Sequence, residues 1–145
     1  MKCLNFACWL LMFSVLAMAE PIPPGPQSKP ETFDWIQYVD AANSTADQMD
    51  RAQEGVKLLQ QRMEEILATY RKLLESRGDK DDLRRLEEMQ AAWQKAEDAE
   101  VSFIASPWIG GTGAKAAFPR ARMECHLRHV KDLLAMKARC MALNE

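Results

Sequence analysis

From Thr45 onward, Met49, Ala52, Val56, Leu59, Met63, Ile66, Tyr70 and Leu73 recur at alternating steps of three and four. That spacing lays one apolar stripe along one face of an α-helix, and the pattern predicts a helix running to about Ser76. Arg77-Gly78-Asp79 interrupts it, with Gly78 suited to a left-handed C-terminal residue and Asp79 or Asp81 to the next N-cap. The tripeptide also spells an adhesion motif, but a turn between two helices accounts for it.

A second helix is predicted from Leu83, Leu86, Met89 or Gln90, Trp93, Ala96 and Phe103, with Arg84, Arg85, Glu87, Glu88, Lys95, Glu97 and Asp98 on its solvated side. Ser106 to Phe118 is the one long interruption, because Pro107, Gly110, Gly111 and Gly113 oppose a regular helix. Pro119 suits a helical first turn, after which Met123, Leu127, Val130, Leu134 and Met141 outline a third helix. No stretch sustains period-two alternation. The expectation is therefore an all-α, antiparallel three-helix bundle with a glycine-rich loop between the second and third helices.

The N-terminus points to export. Lys2 precedes an apolar run from Phe6 to Leu16, too short to cross a bilayer comfortably, and the run ends in Ala17-Met18-Ala19, the small-x-small pattern of a cleavage site. Residues 1–19 are read as a signal peptide and the product as periplasmic or secreted. Cys3 and Cys8 leave with it. Residues 20–44 form a proline-rich tether followed by an aromatic segment. Pro21 to Pro30 cannot continue helix or sheet, whereas Phe33, Trp35, Ile36, Tyr38 and Val39 predict a short helix or turn laid on the main body. Asn43-Ser44-Thr45 is either a glycosylation sequon or, with Ser44 and Asp47, a helix N-cap. Residues 45–145 are the helical domain.

The chain carries 19 basic and 21 acidic side chains, and loss of Lys2 with the leader takes the net charge from −2 to about −3. No clustered basic face is visible, which argues against nucleic acid as a partner and leaves a cationic protein compatible. No second apolar segment approaches membrane-spanning length, so no membrane association is expected once the leader is removed.

Tyr70, Gln90-Ala91-Ala92-Trp93, Asp98-Ala99-Glu100, Gly110-Gly111-Thr112 and Cys125, in that order and spacing, resemble the N-terminal domain of the LprI-type lysozyme inhibitors, also catalogued as a domain of unknown function. The resemblance covers about Thr45 to Leu134. Val101 stands where the family pattern has a cysteine after Asp-Ala-Glu, Glu97 where it has an arginine, and an apolar residue such as Ala52 where it has another cysteine. A disulfide formed there in relatives cannot form in this chain. Cys125 and Cys140 remain. Fifteen residues of continuous helix span about 22 Å, against the roughly 7 Å that bridged Cα atoms allow. Bonding them therefore needs a broken helix or a second chain, and free buried thiols are the other possibility.

Chemistry-bearing constellations are sparse. His126 and His129 stand three residues apart beside Cys125 and Glu124, yet no fourth metal ligand is evident, and a surface or core-edge role is expected for both. Carboxylates are plentiful, but paired acids need a cleft and shifted pKa values to act on a substrate. Gly110-Gly111-Thr112-Gly113 lacks the strand and the lysine of a phosphate cradle. The chain is read as a non-enzyme without cofactor or metal.

Trp93 is expected to anchor the bundle core, with Tyr70 and Cys125 as further structural residues. Asp98 and Glu100 either accept hydrogen bonds from the glycine-loop backbone or contact a partner. Trp108 either folds back on the core or stands out as a binding anchor. The resemblance implies a lysozyme as target, and the acidic balance suits a basic enzyme. The carriers would be Trp108, Gly110, Gly111 and Thr112 in the 106–113 loop, with Asp98 and Glu100. The alternative is an envelope structural or assembly protein that binds an unknown partner through its aromatic segment or acidic helix.

Overall fold

The computed structural model describes residues 29–111 and 113–142. Residues 1–28, with the expected leader and most of the proline segment, Thr112 and residues 143–145 fall outside them. No strand forms among the described residues, and to the three expected long helices a short one is added where a short helix or turn was expected: α1 (Trp35–Asp40), α2 (Thr45–Arg77), α3 (Lys80–Ala105) and α4 (Ala114–Ala142), plus single 3-10 turns at Pro30–Thr32 and Ser106–Trp108. No described helix is long and apolar enough to cross a membrane.

Local signals set most of the boundaries. Ser44 Oγ accepts from the Asp47 amide at 3.1 Å and caps α2. Gly78, at φ +71°, ends α2, and its own amide donates back to the Glu75 and Leu74 carbonyls. Asp79 then caps α3 by accepting from the Asp82 amide at 3.2 Å.

The start of α4 departs from expectation. The helix begins at Ala114, so Pro119 lies in its second turn rather than its first. Three alanines and a lysine in 114–117 favour helix strongly enough to extend it backward past the proline. Missing its N–H, Pro119 leaves the Lys115 carbonyl without its usual helical partner.

The stripe of α2 is buried as its spacing predicts, with Ala52, Leu59, Met63, Ile66 and Tyr70 all inside. α4 packs along α2 and against α3, while α2 and α3 meet less. Gly55 lies against Met123, and the Tyr70 hydroxyl donates to the Leu133 carbonyl at 3.2 Å. The main packing pair, α2 with α4, is therefore parallel, and α3 runs antiparallel to both.

α1 completes the core. Trp35 and Val39 are fully buried, and the Trp35 indole donates to the Pro30 carbonyl at 2.8 Å. Phe33 and Tyr38 set their rings edge-on to it. Arg51, itself buried, donates to the Tyr38 carbonyl at 2.6 Å and satisfies an acceptor at the end of α1. A Cβ on Gly55 would stand 2.7 Å from Met123 Sδ and 2.9 Å from Trp35 Cε3, so α1, α2 and α4 converge where α2 has no side chain.

α3 differs most from its predicted face. It buries Leu86, Gln90, Glu97, Val101 and Ala105, whereas Ala96 and Phe103, placed on the inner stripe, face solvent. Glu97, assigned to the outer side, is inside. The inner face of this helix is partly polar, and an apolar count alone misplaces it.

Candidate functional site

The end of α3, the connection and the start of α4 form an exposed apolar tip. Pro107 opens the 3-10 turn at Ser106–Trp108. Ser106 Oγ donates to the Phe103 carbonyl at 2.7 Å. The turn is closed by amide bonds from Ile109 to the Ser106 carbonyl and from Gly111 to the Trp108 carbonyl. Gly110 takes φ +92°, a conformation that favours glycine. Gly113 serves Trp108 directly: a Cβ there would stand 2.9 Å from Trp108 Cε3.

Trp108 packs in part on the connection itself. One region of the indole rests on Gly113 while 57% of the residue stays exposed. Phe103 (79% exposed) and Ile109 (67%) lie close to it in the chain, with Ile104 and Phe118 also open. Beneath the tip lies a small satellite core of Val101, Ala121 and Cys125. Five of the seven exposed large hydrophobic side chains among the described residues thus fall between positions 103 and 118.

The predicted loop carriers Trp108, Gly110 and Gly111 fall in this tip, and Thr112 lies outside the described residues. Among the described residues, neither Asp98 nor Glu100 accepts a hydrogen bond from the loop backbone. Asp98 accepts from Arg122 at 2.8 Å and Glu100 from Arg128 at 2.8 Å, so both carboxylates tie α3 to α4. Two arginines one turn or more along α4 reach them, and the described part of the connection carries its own turn bonds.

Phe103, Ile104, Ile109 and Phe118 were missed as candidates. Their signal is compositional: residues 101–118 contain a single charged side chain, Lys115, in a chain otherwise rich in charge.

Behind the tip, the seam between α3 and α4 is polar and closed. Trp93, half-buried, stacks on His129 with ring centroids 3.9 Å apart and planes 6° from parallel. His129 Nε2 lies 3.2 Å from Gln90 Oε1, the geometry of a neutral imidazole donating to the amide oxygen. Burial holds the His129 pKa down to about 4. Glu97 Oε1 sits 3.0 Å from Arg122 Nε and 3.1 Å from His126 Nε2, although neither N–H is aimed squarely at it. Both histidines are buried rather than at the surface, and among the described residues no group of three metal-binding side chains forms. Trp93 thus anchors this seam and borders the aliphatic core instead of filling it.

Cys125 is buried, and its thiol is pushed up to about 11, first by burial and then by the Glu100 carboxylate. α4 runs unbroken through positions 125 and 140, so a bond between these cysteines within one chain is out of reach.

The sequence model described as Lysozyme inhibitor LprI matches residues 39–135, about two thirds of the chain. No curated protein and no solved structure matches it significantly. The match begins within α1, at the buried Val39, and ends in α4 just past Leu133, so it spans the packed core and the tip alike.

Proposed function

The chain belongs to the LprI lysozyme inhibitor family, and on that premise we propose that it is an exported, periplasmic or secreted inhibitor that binds a cationic lysozyme through the tip centred on residues 106–113. The observation that carries this is the exposure of Phe103, Trp108 and Ile109 together, on a scaffold whose other large aromatics are mostly packed inward. Such rigid, exposed aromatic anchors are what an interface buries at its centre. The net acidic chain favours encounter with a basic enzyme by long-range attraction. The tip then supplies apolar contact, free of acidic groups that would need desolvation. Asp98 and Glu100 support the site by holding α3 on α4. The aromatic N-terminal segment is a poor alternative docking surface, because Trp35 and Val39 are spent on the core.

The test is inhibition of a panel of lysozymes by the purified exported chain, with Trp108→Ala and Phe103→Ser run alongside. Inhibition by the parent chain, weakened about tenfold or more in each variant, is the expected result. Absence of inhibition at micromolar parent protein against every lysozyme tried refutes the proposal.

A further inference from the structure

A groove of about 400 Å³ opens beside Trp108, between the starts of α2 and α4 and the end of α3. We infer that it is a binding site for a short, neutral glycan of N-acetylated amino sugars. This goes beyond the lysozyme contact, with which it shares Trp108, and is argued from the rest of the groove lining.

Four features of the lining select that ligand class. Trp108 forms one wall, and its seat on Gly113 fixes the ring before any ligand arrives. A preset aromatic plane accepts the apolar face of a pyranose at little ordering cost. The lining also includes Ile104 and Ala117, both partly or fully open, which offer an apolar bed for an acetamido methyl. The rim brings Thr45 and Gln48 from α2 and Glu124 from α4. No side-chain hydrogen bond occupies the Gln48 amide among the described residues, leaving it free to meet hydroxyl and acetamido groups.

Charge settles between ligand classes. Arg120 also lines the groove, but its guanidinium is engaged by both Asp40 oxygens and by Glu124, the last at 3.2 Å. Its positive charge is thereby compensated, which disfavours a phosphate or other anion. A purely hydrocarbon ligand would strand the polar rim without partners. A neutral polyol with one apolar face satisfies both sides, and the volume is at the small end of ligand sites, room for about one or two sugar rings.

The experiment titrates the exported chain, without lysozyme present, with the N-acetylglucosamine tetramer, using maltotetraose as the control. Tryptophan fluorescence and calorimetry provide the readouts. Saturable binding of the acetylated oligomer, with maltotetraose about tenfold weaker or silent, is expected. Ala117→Leu fills the groove while leaving the outer side of Trp108 untouched, so it abolishes glycan binding and retains lysozyme inhibition. Gln48→Ala, at a partly exposed position on α2, weakens glycan binding severalfold with the helical spectrum unchanged, which keeps the inference testable if the leucine variant folds poorly. No binding at millimolar oligomer, equal binding of maltotetraose, or full binding by Gln48→Ala overturns the site. Loss of inhibition in Ala117→Leu overturns the separation of the groove from the lysozyme contact.

Discussion

Lowering the pH should loosen the α3–α4 seam through His129. In the folded chain its pKa is about 4, because burial against Trp93 and Gln90 penalises the imidazolium more than nearby Asp132 favours it, with His126 adding to the penalty. In the unfolded chain an ordinary histidine titrates near 6.5. The unfolded state therefore binds the proton first, so this histidine costs nothing above about pH 6.5 and destabilises the fold progressively as the pH falls towards 4. The two values give a loss of about 2 kcal/mol at pH 5 and about 3 kcal/mol at pH 4, levelling off below that. Urea unfolding from pH 7.5 to 4 measures it, with His129→Phe as the reference. The phenyl ring keeps an aromatic partner for Trp93 while removing the titration, at the cost of leaving Gln90 Oε1 unpaired. That penalty lowers the variant's stability at all pH values by about 1–2 kcal/mol. The diagnostic is the difference between the two curves, which should narrow and then reverse in the variant's favour below about pH 5. Parallel curves across this range would refute the account of a neutral histidine held by burial.

Gly55→Ala should destabilise despite the gain of about 1 kcal/mol in helix propensity, because the new methyl meets Met123 and the pinned Trp35 ring at under 3 Å. Overpacking of about 1–3 kcal/mol makes the net loss of order 1 kcal/mol, read as a melting temperature lowered by roughly 4 °C; an unchanged or raised value would show that the three helices do not converge there. Cys125 should resist alkylation in the native chain at pH 8 and react once urea exposes it, since the buried thiol stays protonated up to about pH 11. Mass spectrometry after alkylation checks this, and rapid native labelling at this residue would contradict its burial.

The parts of the fold that were legible in the sequence are those where apolar meets apolar. α2 shows its stripe because its partners across the core, such as Trp35, Met123, Val130 and Leu133, are themselves apolar or aromatic, so hydrophobic spacing and burial coincide. Its ends were legible too, because Ser44, Gly78 and Asp79 act through their own backbone neighbourhood. α1 was visible as an aromatic cluster. The position of Gly55 was not, since a glycine inside a helical pattern carries no periodic signal and only the three-way approach gives it meaning.

α3 was harder for a definite reason. Its inner face runs Leu86, Gln90, Trp93, Glu97, Val101, a proper helical spacing in which two of five residues are polar. Counting only apolar side chains draws Ala96 and Phe103 into the stripe. Yet Val101 and Phe103 are separated by about 200° of helical rotation, so burying one exposes the other. The buried Val101 forces Phe103 outward, to 79% exposure, a few residues before Trp108 and Ile109 in the chain. The apolar count that misplaces the core face of α3 therefore also conceals the most exposed large apolar residue of the tip. An aromatic residue out of phase with a helical stripe, in a stretch almost free of charge, cannot serve the core and is not needed for solubility. It is a stronger pointer to a binding surface than the glycines beside it, whose role is to let Trp108 and its turn take their shape.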